Sequence, residues 1–124
     1  MIIAELKRVK DRAVWSWNGF VHVWRTERSL QQWIWLNVAF GILAFVLPLS
    51  GATRGMLLMG GILTLAAECM NTAVERVVDD ISSEQRDAAK HAKDAASAAV
   101  AITGIAVGVA WVCVIWSWWQ GGQI

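Results

Sequence analysis

The chain has 124 residues, enough for one domain and no more. Hydrophobic residues make up 56% of it and charged residues 17%, against about 25% charged in an average soluble domain. A core this small cannot bury so much apolar surface in water, which argues against a soluble globular enzyme, a disordered chain and a disulfide scaffold. A net charge of +1 gives no nucleic-acid footprint.

Segment 1–28 opens with six charges in its first 13 residues, so it is no signal peptide. Ile2, Leu6, Val9, Ala13, Trp17, Phe20 and Trp24 recur at spacings of three and four, a single helical stripe. Lys7, Arg8, Asp11 and Arg12 fall between them. A basic helix with Trp on its apolar side reads as a surface helix lying in the membrane interface. The competing reading packs it on partner helices. Asn18-Gly19 is a possible interruption.

Three long stretches follow in which charge is scarce. None falls between Ser29 and Thr53, none between Gly55 and Ala67, and none in the 30 residues after Asp94. A membrane-spanning helix needs about 20 mostly apolar residues. The chain therefore predicts an all-α membrane protein with spans at 31–49, 53–78 and 95–119. The second span is long enough only if Glu68 and Glu75 lie within it. Cys69 and Cys113 sit in apolar contexts and read as reduced, packed side chains.

Topology follows from Lys and Arg. Six precede the first span and four, Arg76, Arg86, Lys90 and Lys93, run from the end of the second span to the third, whereas Arg54 alone stands by the first connection. The positive-inside rule then predicts a cytoplasmic N-terminus and loop 80–94, and three spans put the C-terminus on the periplasmic side. Trp33 and Trp35 at one end of the bundle, with Trp116, Trp118 and Trp119 at the other, fit the aromatic belts of a bilayer.

The chemistry concentrates in 66–80. At 100° per residue, Glu68 and Glu75 nearly superimpose, Asp79 lies about 20° from Glu68, and Asn71 falls on the same side. This polar stripe is roughly 16 Å long on an otherwise apolar helix. One such residue can glue helices together. Three carboxylates and an amide on one face point to function instead. Stacked carboxylates repel unless a cation or proton sits among them. Mg²⁺ fits that need, because it takes one or two carboxylates plus phosphate oxygens and water. A carboxylate held partly away from water also suits a general base. The loop adds Glu84, Arg86 and Asp87, and Lys93-Asp94 stands just before the third span, where a Lys can neutralise phosphate. Glu27 is a lone acid near the same interface. No Gly-rich phosphate loop is present.

These residues carry a resemblance. Glu68-Cys-Met-Asn71-Thr-Ala-Val-Glu75-Arg-Val-Val-Asp79 is similar to the signature of the small prokaryotic diacylglycerol kinases, E-x-x-N-S/T-S/A-L/I/V-E-x-x-L/I/V-D. Ala92-Lys93-Asp94-Ala-Ala-Ser97-Ala-Ala-Val resembles the family's A-K-D-x-x-S-A-A-V. The resemblance implies a homotrimeric bacterial inner-membrane enzyme that phosphorylates diacylglycerol with ATP and Mg²⁺, in sites shared between subunits at the cytoplasmic face. It implies Glu68 as the proton acceptor for the lipid hydroxyl and Glu27 and Glu75 as the metal-holding acids. It implies Lys93 and Asp94 at phosphate and nucleoside, with Asp79, Glu84 and Arg86 in the nucleotide region. Arg8 would stand near both substrates. Trp17, Asn71, Ser97 and Trp111 would stand near lipid.

Two departures are visible. Where the family commonly reads E-Y-H in its nucleotide loop, this chain has Glu84-Gln85-Arg86, and a family acid before the first span is Trp33 here. Undecaprenol is the alternative substrate. A small proton-coupled transporter built on Glu68, or a non-catalytic scaffold, are the more distant alternatives.

Overall fold

The computed structural model describes residues 1–121. They form four helices in chain order: α1 (Ile2–Thr26), α2 (Arg28–Val46), α3 (Gly51–Ile81) and α4 (Asp87–Trp119). There is no strand among the described residues. Helices α2, α3 and α4 are each long and apolar enough to cross a membrane.

Each boundary has a local cause. The break between α1 and α2 is the single extended residue Glu27. Asn18-Gly19 does not interrupt α1, since one glycine costs only about 1 kcal/mol in a helix. Helix α2 stops before Leu47, which is extended because Pro48 disfavours the helical conformation in the residue before it. Ser50 starts α3, its hydroxyl accepting a 3.1 Å bond from the Thr53 amide. Arg54 ties the two ends together, donating to the carbonyls of Ala44 at 2.9 Å and Leu49 at 3.2 Å. It also covers the Phe45 ring. The lone cation of this connection thus satisfies backbone carbonyls at the end of α2.

Helix α4 begins at Asp87, so the irregular loop is shorter than 80–94. Asp87 in its first turn favours that start by facing the positive end of the helix dipole. The loop itself turns at Ser82, whose hydroxyl accepts from the Glu84 amide at 3.1 Å.

With 31 residues, α3 is about 46 Å long, well beyond the ~30 Å hydrocarbon core. That surplus is enough for the Asp79 end of the acidic stripe to extend past such a layer. Glu68 lies about 21 Å along the axis from Arg54, at ~1.5 Å per residue, a distance shorter than that thickness.

The three long helices approach closely at small residues. A Cβ on Gly61 of α3 would run into the Asn37 side chain of α2, and one on Gly104 of α4 would lie 2.7 Å from the Trp33 ring. Ala44, Leu49, Leu57, Trp111 and Val114 form the apolar core toward one end of the bundle, with Phe40 against Trp111. Helix α1 is largely exposed, and only Val23 near its C-terminal end is buried.

Candidate active site

Helical periodicity puts Thr64, Glu68 and Thr72 on one face of α3, and that face is buried. Thr64 satisfies its hydroxyl on the Gly60 carbonyl at 3.1 Å. Glu68 is only 3% exposed, yet it takes part in none of the four ion pairs among the described residues. A buried carboxylate with no ion-pair partner is costly to keep, which makes Glu68 the candidate for function on this face.

Glu68 lines a cleft of ≈ 370 Å³ between α2, α3 and α4. Asn71, Thr72 and Glu75 line it from α3, Ser97, Val100 and Ala101 from α4, and Ser29 and Trp33 from α2. Glu27, in the link before α2, reaches the same space. Asn71 donates to the Glu75 carboxylate at 3.1 Å. That bond orients Glu75 and leaves the Asn71 Oδ1 atom buried without a partner among the described residues. An orphaned acceptor beside two carboxylates is a place for a donor from a ligand. Glu27 is held from the other side by Arg76, at 2.9 Å.

A second, wider cleft of ≈ 650 Å³ lies where α3 and α4 emerge around the loop. Asp79, Glu84, Arg86, Lys90, Lys93 and Asp94 line it. Lys93 reaches across from α4 to Asp79 of α3 at 2.5 Å, and Lys90 pairs with Asp94 at 3.2 Å. Arg86, Lys90 and Lys93 stand there among four carboxylates, Asp87 being the fourth, so the cleft is of mixed charge and a phosphate chain would have to draw each lysine from its carboxylate partner.

The acidic stripe is therefore divided. Its upper members, Glu68, Asn71 and Glu75, face the inner cleft, and Asp79 faces the outer one. Ser97 joins the first group and Glu84, Arg86, Lys93 and Asp94 join the second. Three residues singled out from the sequence line neither. Arg8 pairs with Glu5 on the exposed part of α1 at 2.7 Å, and Trp17 sits beside Phe20 on the same helix. Trp111 is buried in an apolar groove of ≈ 270 Å³ further along α2, α3 and α4.

Four contributors escape a reading from sequence: Ser29, Thr72, Val100 and Ala101. Thr72 had a signal, because it lies four residues after Glu68 and hence on its face. Arg76 had one only in hindsight, as a cation within an apolar helix.

Comparison with known proteins identifies the family. The profile of the prokaryotic diacylglycerol kinases matches residues 14–115. The chain is 33% identical to the diacylglycerol kinase of Pseudomonas aeruginosa over 110 residues, 89% of each protein. It is 33% identical to that of Escherichia coli, over 89% of this chain and 90% of the relative. It is also 36% identical to the undecaprenol kinase of Bacillus subtilis over 103 residues, 82% of each. A profile match over residues 14–115 and 33% identity across most of the chain lead to one conclusion: this protein belongs to the prokaryotic diacylglycerol kinase family.

Proposed function

We propose that the chain transfers the γ-phosphoryl group of ATP to the free hydroxyl of diacylglycerol, giving phosphatidic acid. The observation that carries this reading is Glu68, buried and unpaired on the wall of a cleft that lies at membrane depth. A lipid hydroxyl can reach it there, while a nucleotide arrives from water at the outer cleft, where Arg86, Lys90 and Lys93 can meet its phosphates.

Phosphoryl transfer asks a protein mainly for positioning and charge neutralisation. Glu68 accepts the proton of the attacking hydroxyl. Asn71 keeps the Glu75 carboxylate in place, and its free oxygen is available to a ligand donor. Lys93 exchanges its partner Asp79 for a phosphate oxygen and offsets charge on the transferring group. Arg86 and Lys90 attract the phosphate chain into the outer cleft.

Glu27 and Glu75 would hold Mg²⁺. Both present hard carboxylate oxygens to one cleft, and no three ligating side chains converge among the described residues. Such a pair suits an ion that completes its octahedron with phosphate oxygens and water. Held there with ATP, the ion would supply positive charge to offset that of the phosphates. We place the enzyme in the bacterial inner membrane as a homotrimer, with the N-terminus cytoplasmic, the C-terminus periplasmic and α1 on the membrane surface. The charge distribution supports that orientation, and the stripe of apolar residues on α1 supports the surface position. Arg8 and Trp17 then serve the site of a neighbouring subunit.

A second reading keeps the chemistry and changes the alcohol. The 36% identity to an undecaprenol kinase favours it. Purified full-length protein in detergent, offered MgATP with diacylglycerol and with undecaprenol separately, decides between them. Phosphatidic acid formed at the higher kcat/KM supports the first reading. Faster undecaprenol phosphorylation supports the second, and transfer to neither rejects both.

A further inference from the structure

The cleft that holds Glu68 and the apolar groove beyond it have one lining residue in common, Trp33. Both run along the same three helices. On α3 the line passes from Glu68 to Thr64 and Gly61, and on α4 from Ala101 to Gly104 and Val107. At the joint the Trp33 indole lies over Gly104, so close that a Cβ there would stand 2.7 Å from its Cη2 atom. Asn37, one turn further along α2, donates to the Trp33 carbonyl at 2.9 Å and fills the space opposite Gly61. The indole is thus wedged against one helix at its tip, and Asn37 bonds the backbone carbonyl of the same residue. The ring stands between the headgroup end and the hydrocarbon end of a single intramembrane trough.

We infer that Trp33 is a specificity-determining residue. It narrows the passage by which the substrate's hydrocarbon chain leaves the Glu68 cleft for the apolar groove, and it favours a slim unbranched chain over a methyl-branched polyprenyl one. The occupant of the groove is the chain of the lipid whose hydroxyl meets Glu68, because the groove continues that cleft and is lined almost wholly by apolar side chains. A flat, rigid ring lets an unbranched chain slide along its face. A chain with a methyl on every fourth carbon is wider and meets the ring edge. The inference rests on the lipid-kinase reading above.

Two substitutions push the passage in opposite directions. Trp33→Ala opens it. Gly104→Ala adds the Cβ that the indole tip cannot accept and drives the ring outward into the passage. The assay measures kcat and KM for dioleoylglycerol and for undecaprenol, and KM for MgATP, on full-length protein in mixed micelles. Trp33→Ala is expected to raise the ratio of kcat/KM for undecaprenol over dioleoylglycerol by about tenfold, as expected for a relieved clash of roughly 1.4 kcal/mol. The change should lie in the lipid KM, with the MgATP KM unchanged. Gly104→Ala is expected to lower the same ratio. Should Trp33→Ala fail to fold, Trp33→Phe withdraws the ring from Gly104 and carries the same expectation. A ratio unmoved in every folded variant overturns the inference, as does a loss shared equally by lipid and MgATP parameters. Wild-type protein that phosphorylates neither lipid overturns the kinase reading itself, a result distinct from both.

Discussion

Arg76 of α3 holds Glu27 at 2.9 Å and reaches Thr26 with the same nitrogen at 2.5 Å. One side chain thereby fixes the link between α1 and α2 against the helix that carries the acidic stripe. The pair is about a third exposed at each end, so it contributes little to stability, of order 0–1 kcal/mol. Its larger effect is on Glu27, whose negative charge it shares. If Glu27 serves Mg²⁺, the guanidinium competes with the ion. Arg76→Gln is therefore expected to lower the Mg²⁺ concentration at half-maximal rate by a few-fold while leaving thermal stability nearly unchanged. A metal titration of the activity checks it, and an unchanged or raised requirement would separate Glu27 from metal binding.

Glu75 gives the opposite expectation. Glu75→Gln removes an anionic oxygen while retaining an acceptor for the Asn71 amide. The Mg²⁺ requirement should rise and the lipid KM should stay close to wild type. A fall in rate with an unaltered metal profile would make Glu75 a structural residue.

Glu68→Gln is expected to keep fold, assembly and MgATP affinity, since Gln is nearly isosteric and removes a charge that is expensive at 3% exposure. The turnover should fall by roughly 10²–10⁴, the range for loss of a general base. That corresponds to about 3–5 kcal/mol of transition-state stabilisation. Loss of MgATP affinity instead would make Glu68 a metal ligand, and a near wild-type rate would leave it as interhelical glue.

Gly61→Ala should destabilise the bundle by about 1–3 kcal/mol, the range for overpacking a tight contact, because the new methyl meets Asn37. Asn37→Ala in the same chain should recover most of that loss. Thermal unfolding of the two single variants and the double variant in one detergent measures the coupling, and additive losses would refute the contact.

Orientation can be read with fusions. A reporter joined to the C-terminus should report the periplasm, and one inserted at Ser83 should report the cytoplasm, from the ten-to-one bias of Lys and Arg between the two sides. Both reporters on one side would remove the three-span topology.

The helices were legible because charge cannot be hidden in a bilayer. Gaps in charge located three long helices, and Pro48 located the first turn. The Glu68–Asn71–Glu75 face was legible because periodicity within one helix requires no knowledge of its neighbours. What spans helices was not. Lys93 and Asp79 are 14 residues apart, Arg76 and Glu27 are 49 apart, and nothing local pairs them. The division of the stripe into two clefts depends on where α4 crosses α3. The early start of α4 was hidden by its first two turns, whose charges read as a solvated loop although they line the outer cleft. Trp33 registered in the sequence as an interfacial anchor and a missing acid, and its seat against Gly104 exists only after α2 and α4 have met.

The inner cleft has walls from α2, α3 and α4, and α4 is last in the chain. A nascent protein that has threaded only its first two spans into the bilayer has Glu68 and Glu75 but lacks Ser97, Val100 and the lysine that meets Asp79. Until the final span arrives, the cleft around those two acids has no α4 wall. On the kinase reading, a half-inserted chain would lack the walls that bring the two substrates together, and transfer would await the complete molecule.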